Sequence, residues 1–505
     1  MKDFMKKNYF FTYSKMCVLA LAGASALLLA SCARDGFDEE TFTGTYSGFK
    51  MTTPDASTVY VRASSDKLSQ TINWDAVNGA GTYTVSVYQG DSPDDCNNVV
   101  AQDRVTKVNY ITVPRINKTY YRATIKVNDN IPEANTAPDD ITTYNWNTFT
   151  IEMGTIPAGS DLCAWFKENP IPVSYAASDI TYRLEDGKEY YVSDTLQLGN
   201  NIVTFRPVSD DGRAKIKFTG KRASFETSLG LTLREIDFDC AGSDAAFIAM
   251  SKNPAIEPII VNAWGSDYNF YCSTEPISVL NCNIENLESF FFYDNKVACW
   301  FPTTLLIDNC LVHLTTTATS DFGTGGNTAY FWTNKGSGYI RNMTIKNSTF
   351  YNTGEKDGKY FVQYGGFGWS QTNESLGWED NTLTYENCTF YHVCSSGQWG
   401  NYNGTAGKAT SYWNMINCIF YDCSSGNVPR RFLAGKQKQA TATFLNNTYM
   451  KKDGTFENDG NLTNYDLSGT DIQEDPKFAD PANGDFHISG ATQVARGTGD
   501  PRWLP

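Results

Sequence analysis

Three residues share one place in a repeated phrase and could do chemistry together. Asp308, Lys346 and Glu386 each stand immediately before an asparagine that opens the phrase. On stacked coils they would be neighbours facing out. A lysine or arginine can take the proton beside a uronate carboxylate, and a cation such as Ca²⁺ on clustered carboxylates can stabilise the resulting anion. Two carboxylates flanking a lysine therefore admit lyase chemistry. They admit more simply a salt-bridge ladder, and that is the expectation. The sequence does not show the several aspartates on adjacent strands that such a Ca²⁺ site needs. Nor does it show paired Asp-Asp motifs on adjacent coils, as a sugar hydrolase would require; Asp210-Asp211 is a turn beside Gly212.

Other residue types suit binding. The segments after Asn309 and Asn347 are about ten residues longer than their neighbours. Extra residues in a solenoid leave as loops, often on one face. The first segment carries Phe322, Tyr330, Phe331, Trp332 and Tyr339; the second carries Tyr360, Phe361, Tyr364, Phe367, Trp369 and Trp378 among many glycines; Trp399, Tyr402 and Trp413 follow. Aromatic rings on such loops could stack on sugar faces, so exposed rings along one groove are expected among Trp332, Trp369, Trp378 and Trp399. Between Asp422 and Asp453 there is no acid, but there are Arg430, Arg431, Lys436, Lys438, Lys451 and Lys452. Arginine pairs with carboxylates through two parallel hydrogen bonds, so acidic uronate sugars are plausible partners. A solvated loop balancing acidic surroundings is the bland alternative.

The elements that must position these residues are legible from the phrase itself. It reads Asn281-Cys282-Asn283-Ile284, Asn309-Cys310-Leu311-Val312, Asn347-Ser348-Thr349-Phe350, Asn387-Cys388-Thr389-Phe390, Asn417-Cys418-Ile419-Phe420 and Asn446-Asn447-Thr448-Tyr449. The asparagines are 28, 38, 40, 30 and 29 residues apart, a period that marks a stacked-repeat architecture. Leu383 and Tyr385 alternate with polar neighbours, as in a half-buried strand; after Asn387 the apolar phase slips by one, to Cys388 and Phe390. The chain bends there, and asparagine tolerates the left-handed angles a corner needs. Corners stacked at ~4.8 Å would let the amides bond one another. The pattern predicts a right-handed parallel β-helix with an asparagine ladder. Cys282, Cys310, Cys388 and Cys418 should form an inner column, with Cys394 and Cys423 on another inner row. No Cys-x-x-Cys pair is present and His313, His392 and His487 are the only histidines, so no metal site is expected.

The formal charge is −15. Residues 1–31 have the form of a secretory signal: Lys2, Lys6, Lys7 and Lys15 precede an apolar run from Val18 to Ala30 that is too short to span a bilayer. Its removal takes four Lys and one Asp and leaves −18, which argues against nucleic acid as a partner. Leu29-Ala30-Ser31-Cys32 resembles the lipobox of bacterial lipoproteins, which implies lipid attachment at Cys32. Asp35, Asp38, Glu39 and Glu40 resemble the signal that sends Bacteroidetes lipoproteins to the outer face of the outer membrane.

Residues 32–48 read as an acidic tether. Over 49–153, Val59, Val61, Ile72, Trp74, Tyr83, Val85, Val87, Tyr121, Ala123, Ile125 and Val127 fall on alternating positions, with turns such as Asn78-Gly79 between runs. That is a β-sandwich pattern. Ile72-Asn73-Trp74-Asp75, Gly81-Thr82-Tyr83-Thr84-Val85 and Lys118-Thr119-Tyr120-Tyr121 resemble a fibronectin type III domain, whose usual role in such proteins is spacing. Residues 154–505 read as the β-helix. Ser160 opens a short amphipathic helix with Leu162, Trp165 and Phe166 on one face, ended by Pro170; it is expected to cap the first coil, and coils should begin near Tyr182.

The ladder, the capping helix and the endings Asp475-Pro476-Lys477-Phe478 and Gly499-Asp500-Pro501-Arg502-Trp503 resemble domain families of unknown function in Bacteroidetes lipoproteins, over residues 150–505. Such proteins accompany systems that use pectin and other plant polysaccharides, and their β-helix looks like that of pectate lyases. The resemblance implies a polysaccharide ligand, a membrane reached through the lipid, and other glycan-uptake proteins as partners. The reading carried forward is a non-catalytic glycan-binding surface lipoprotein without a cofactor. Its binding residues would be Tyr330, Trp332, Tyr364, Trp369, Trp378, Trp399, Tyr402, Arg430 and Arg431. The alternatives are a polysaccharide lyase using Ca²⁺ and a structural or adhesive surface protein.

Overall fold

The computed structural model describes residues 49–64, 67–129, 135–263, 266–324, 326, 328–333, 338–365, 378, 380–402, 411–433, 440–457 and 465–505. Two compact units share them. One takes residues up to 61, 71–113 and 120–146; the other takes 62–70, 114–119 and 147–505.

Among the described residues the N-terminal strands form a two-stranded, a three-stranded and a four-stranded sheet. The alternating residues face a common core: Ile72, Trp74, Tyr83, Val85, Val87, Tyr121, Ala123, Ile125 and Val127 are all buried there. Trp74 meets Tyr83 edge-on at 5.2 Å, and the Tyr83 hydroxyl accepts from the Val77 amide at 2.8 Å. The aromatic pair thus gains its burial without orphaning the phenol. Gly79 turns with φ +85°, the freedom that the Asn-Gly pair signals.

The second unit is a parallel β-helix. Among the described residues it has parallel sheets of ten, nine and seven strands, in which each strand pairs with the next coil's equivalent. In the ten-stranded sheet an inner row runs Tyr182, Phe205, Leu233, Val279, Ile307, Ile345, Tyr385, Met415 and Phe444 in unbroken register. The first strand of that sheet is Ile151–Ile156, one coil earlier than the expected start near Tyr182. An antiparallel hairpin, Ile259–Ala263 with Ser266–Tyr271, leaves the stack before the strand Ile277–Leu280; the sequence reading did not anticipate it.

The capping helix spans Leu162–Glu168. Its N-cap is Asp161, whose carboxylate accepts from the Cys163 amide at 3.0 Å; Ser160, the expected cap, instead bonds the Pro157 carbonyl. Trp165 and Phe166 close over the first coils, with ring centroids 5.5 and 4.9 Å from Tyr182. That covers an apolar end which would otherwise meet water.

All six corner asparagines have φ between +50° and +55°. Their amides form the ladder: Asn309 donates to Asn281, Asn387 to Asn347, Asn417 to Asn387 and Asn446 to Asn417, at 2.8–3.1 Å. One rung departs, since Asn347 donates to the Asp308 carboxylate at 2.9 Å. Beside the ladder, Cys282, Cys310, Cys388 and Cys418 are buried, and each thiol bonds the carbonyl two residues before it. Cys394 and Cys423 are buried too.

The Gly-Asp-Pro-Arg-Trp ending is a strap laid back along these corners. Gly499 N donates to the Asn417 carbonyl (2.8 Å), and the Thr349 hydroxyl donates to Asp500 (2.8 Å). Arg502 donates to the Asn309 carbonyl and side chain (3.0 and 2.9 Å), and Trp503 Nε1 to Thr349 (2.8 Å).

Asn387→Ala removes a donor and an acceptor from the ladder and leaves alanine at φ +52°. About 2–3 kcal/mol of β-helix stability should be lost, roughly 1 per hydrogen bond and 1 for the backbone. Guanidinium denaturation checks this, and Asn387→Gly should recover the backbone part.

Candidate ligand-binding cleft

A basic cleft opens on the outer face of the first coils. The residues that build it form a sequence repeat of their own. Thr181-Tyr182-Arg183, Thr204-Phe205-Arg206 and Thr232-Leu233-Arg234 lie on three successive strands of the ten-stranded sheet. Tyr182, Phe205 and Leu233 point inward and are buried, so their flanking residues point out. Register places Thr181, Thr204 and Thr232 in one column and pairs Arg183 with Arg206; Arg234 follows Leu233, the partner of Phe205. Successive coils are ~4.8 Å apart, so the three arginine positions follow one another along the stack at that spacing.

The cleft has a volume of about 420 Å³, and all its lining residues belong to the second unit. Lys67, Lys118 and the three arginines line it, against Glu152 and Asp210 as its carboxylates. With Asp179 and Glu235, which pair with Lys67 and Arg206 beside the lining, five cations meet four carboxylates, a local +1 in a chain of −15. That local reversal draws anions toward the cleft.

Each cation is held. Lys67 Nζ sits 2.8 Å from Asp179 and donates to the Thr204 hydroxyl at 3.3 Å. Arg183 donates through Nε and Nη2 to Glu152 at 3.0 and 2.7 Å, and through Nη1 to the Pro207 carbonyl at 3.2 Å. That fork holds the Glu152 carboxyl below its ordinary range and raises Arg183. Arg206, 12% exposed, pairs with Asp210 and lies 3.8 Å from Glu235. Its Nε and the Glu235 Oε2 are both buried without a hydrogen-bond partner. Glu235 has φ +59° at the corner where the next coil has Asn281, so a glutamate stands in strained backbone beside the cleft.

The expected aromatic platform is overturned at six positions. Tyr330, Trp332, Tyr364, Trp378, Trp399 and Tyr402 are all buried, none more than 8% exposed. The aromatic runs are not loops: Ala329–Trp332, Tyr360–Gln363 and Gln398–Asn401 are strands of the seven-stranded sheet. Trp399 stacks on Phe361 at 4.4 Å inside the coil. Tyr330 donates to Asp357 at 2.8 Å, and Trp332 stacks on Tyr293 at 5.4 Å with Lys296 over it. Arg341 lies over Trp378 at 5.4 Å, and Tyr364 and Tyr402 pack together at 5.9 Å. Their faces are spent on the core. Trp369 and Cys32 lie outside the described residues. Arg430 is exposed at the start of the short helix Arg430–Leu433, which also holds Arg431. The structure does not bring the six buried aromatics and Arg430 together as one open site.

Asp308, Lys346 and Glu386 do stack in register, as expected. Lys346 pairs with Asp308 at 3.3 Å; among the described residues it forms no ion pair with Glu386, so the ladder is one rung short. Nor do the described residues contain a group of three or more His, Cys, Asp or Glu able to hold a metal ion.

The chain is similar to three families, each described as a domain of unknown function: DUF4992 over residues 5–187, DUF4957 over 188–353 and DUF5123 over 383–503. No curated protein matches it. Among solved structures it is similar to pectate lyase PelI from Erwinia chrysanthemi in complex with tetragalacturonic acid. The identity is 10%, the match covers 66% of this chain and 84% of that one, and the TM-score is 0.14. At that score the likeness carries no argument, and the β-helix stands on its own strand pairing.

Proposed function

We propose that the protein binds acidic polysaccharide, with uronate carboxylates lying along the Thr-x-Arg rows, as a lipid-anchored protein of the outer-membrane surface. One observation carries the reading: arginines on three successive coils, Arg183 and Arg206 in register and Arg234 next to the partner of Phe205, beside a threonine column in a cleft of net positive charge. A linear polyanion presents charge at repeated intervals, and a parallel β-helix repeats its donors at a fixed spacing. Arginine suits planar carboxylates through its fork, while Thr181, Thr204 and Thr232 are buried beneath it as the cleft floor. The N-terminal sandwich would space this cleft from the lipid.

The test is retention on immobilised polygalacturonate compared with a neutral polymer. The purified protein should be retarded by the acidic polymer alone, and less so as salt rises, because the contacts are charge-assisted. Equal retardation by both polymers would sink the reading. New ultraviolet absorbance from unsaturated uronate would replace binding by lyase activity.

A further inference from the structure

The cleft already holds a carboxylate. Glu152 lies on the first strand of the stack, Ile151–Ile156. Its two oxygens accept from Nη2 and Nε of Arg183 at 2.7 and 3.0 Å, the side-by-side geometry in which arginine recognises a free carboxylate. The Arg183 plane does not depend on Glu152 alone, since Nη1 is tied to the Pro207 carbonyl. The glutamate also has somewhere to go. Lys118 Nζ stands 3.6 Å from the same Oε1, with a side chain 59% exposed.

We propose that Glu152 is a resident stand-in for a ligand carboxylate, displaced when an acidic polymer binds: the uronate takes the Arg183 fork and Glu152 passes to Lys118. This rests on the reading that the cleft takes uronates, and adds a rule of selection. Glu152 is tethered to the chain, so a competitor faces it at the high effective concentration of an intramolecular group. A single uronate has one carboxylate with which to compete. A polymer whose other carboxylates already engage Arg206 and Arg234 delivers its next one to Arg183 under the same tethering advantage. The cleft therefore selects polymers over monomers through a competitor built into its first strand.

Calorimetric titration of the full chain with galacturonate monomer and with a four-unit oligogalacturonate tests this. Glu152→Gln removes the competing charge while keeping an acceptor for Arg183. It should bind the oligomer about tenfold more tightly than the native protein, and gain more for the monomer, so that the oligomer-to-monomer ratio narrows. Glu152→Asp, a charge on a shorter arm, should fall between. Unchanged or weaker oligomer binding in Glu152→Gln would overturn the displacement, provided its melting temperature matches the native one; if it does not, the order of Glu152→Asp and native protein decides. Failure of the cleft reading looks different: the native protein binds neither ligand, or Arg206→Ala binds as the native protein does.

Discussion

Arg206→Ala is expected to weaken binding of polygalacturonate by about ten- to a hundredfold, the largest effect of any single change in the cleft. Arg206 lies on the middle of the three coils, in register with Arg183. A hydrogen bond to a charged group contributes about 1.5–3 kcal/mol, and about 1.4 kcal/mol is a factor of ten in affinity. Removing the guanidinium also takes the counter-charge from Asp210 and from Glu235, whose Oε2 is buried. Two carboxylates would then repel an anionic ligand where one cation had attracted it. Arg206→Lys separates charge from geometry: it keeps +1 but has no fork, so it should recover only part of the loss. If lysine restores full affinity, the cleft acts as an undirected positive patch. Circular dichroism and the melting temperature of each variant establish that binding, and not folding, has changed.

The sequence made the later coils legible because their corners are chemically conspicuous. Six asparagines at φ near +52° are positions where few other residues sit without strain, so the residue type reports the backbone. The inner cysteine column followed from the same phase slip. The early coils announce themselves differently. Glu235 occupies the Asn281-type corner, so the asparagine phrase is missing there and those strands look irregular. The cleft was nevertheless written in the sequence as Thr-Tyr-Arg, Thr-Phe-Arg and Thr-Leu-Arg, 23 and 28 residues apart. Thr-apolar-Arg on successive strands fixes two outward columns by strand alternation alone. The aromatic residues misled for the opposite reason. Their neighbouring glycines suggested loops, but Gly400 lies within the strand Gln398–Asn401, where a Cβ would run into the Tyr402 ring. Glycine there makes room for a core aromatic. Composition could not separate a ring turned outward for a sugar from one turned inward for packing. Only the third sheet, which supplies the inner row Phe292, Phe331 and Val362, decides it. The closing Asp500 and Arg502 were read as an ending; their partners, Thr349 and Asn309, lie more than 150 residues away and no local pattern discloses them.

The second large effect is a loss of β-helix stability as pH rises from 6 to 8, the reverse of ordinary acid denaturation. Glu457 is buried near the last coil, where its carboxylate accepts from the Val428 amide at 2.9 Å. Burial raises its pKa from 4.5 to about 8. Burial likewise raises Asp357 and Asp500, each to about 6. The folded state therefore binds more protons than the unfolded chain between each ordinary value and each raised one. Wherever the folded state binds the extra proton, stability falls with rising pH, at about 1.4 kcal/mol per pH unit for one group. All three contribute from about pH 4 to 6, with Glu226 and Glu275, also raised by burial, acting in the same sense, and Glu457 continues from 6 to about 8. The carboxyls held low by partners, such as Glu152, act in the opposite sense and at lower pH. Guanidinium denaturation at pH 6, 7 and 8 should show about 2–3 kcal/mol lost across the range. Glu457→Gln should remove that slope, since an amide keeps the size and an acceptor for Val428 but has no proton to lose. Asp500→Asn should leave the slope above pH 6 intact and lessen it below, because Asp500 in the strap has already ionised by then. A native protein equally stable at pH 6 and 8 would mean that Glu457 keeps an ordinary pKa, with water or a cation reaching a carboxylate that the fold encloses.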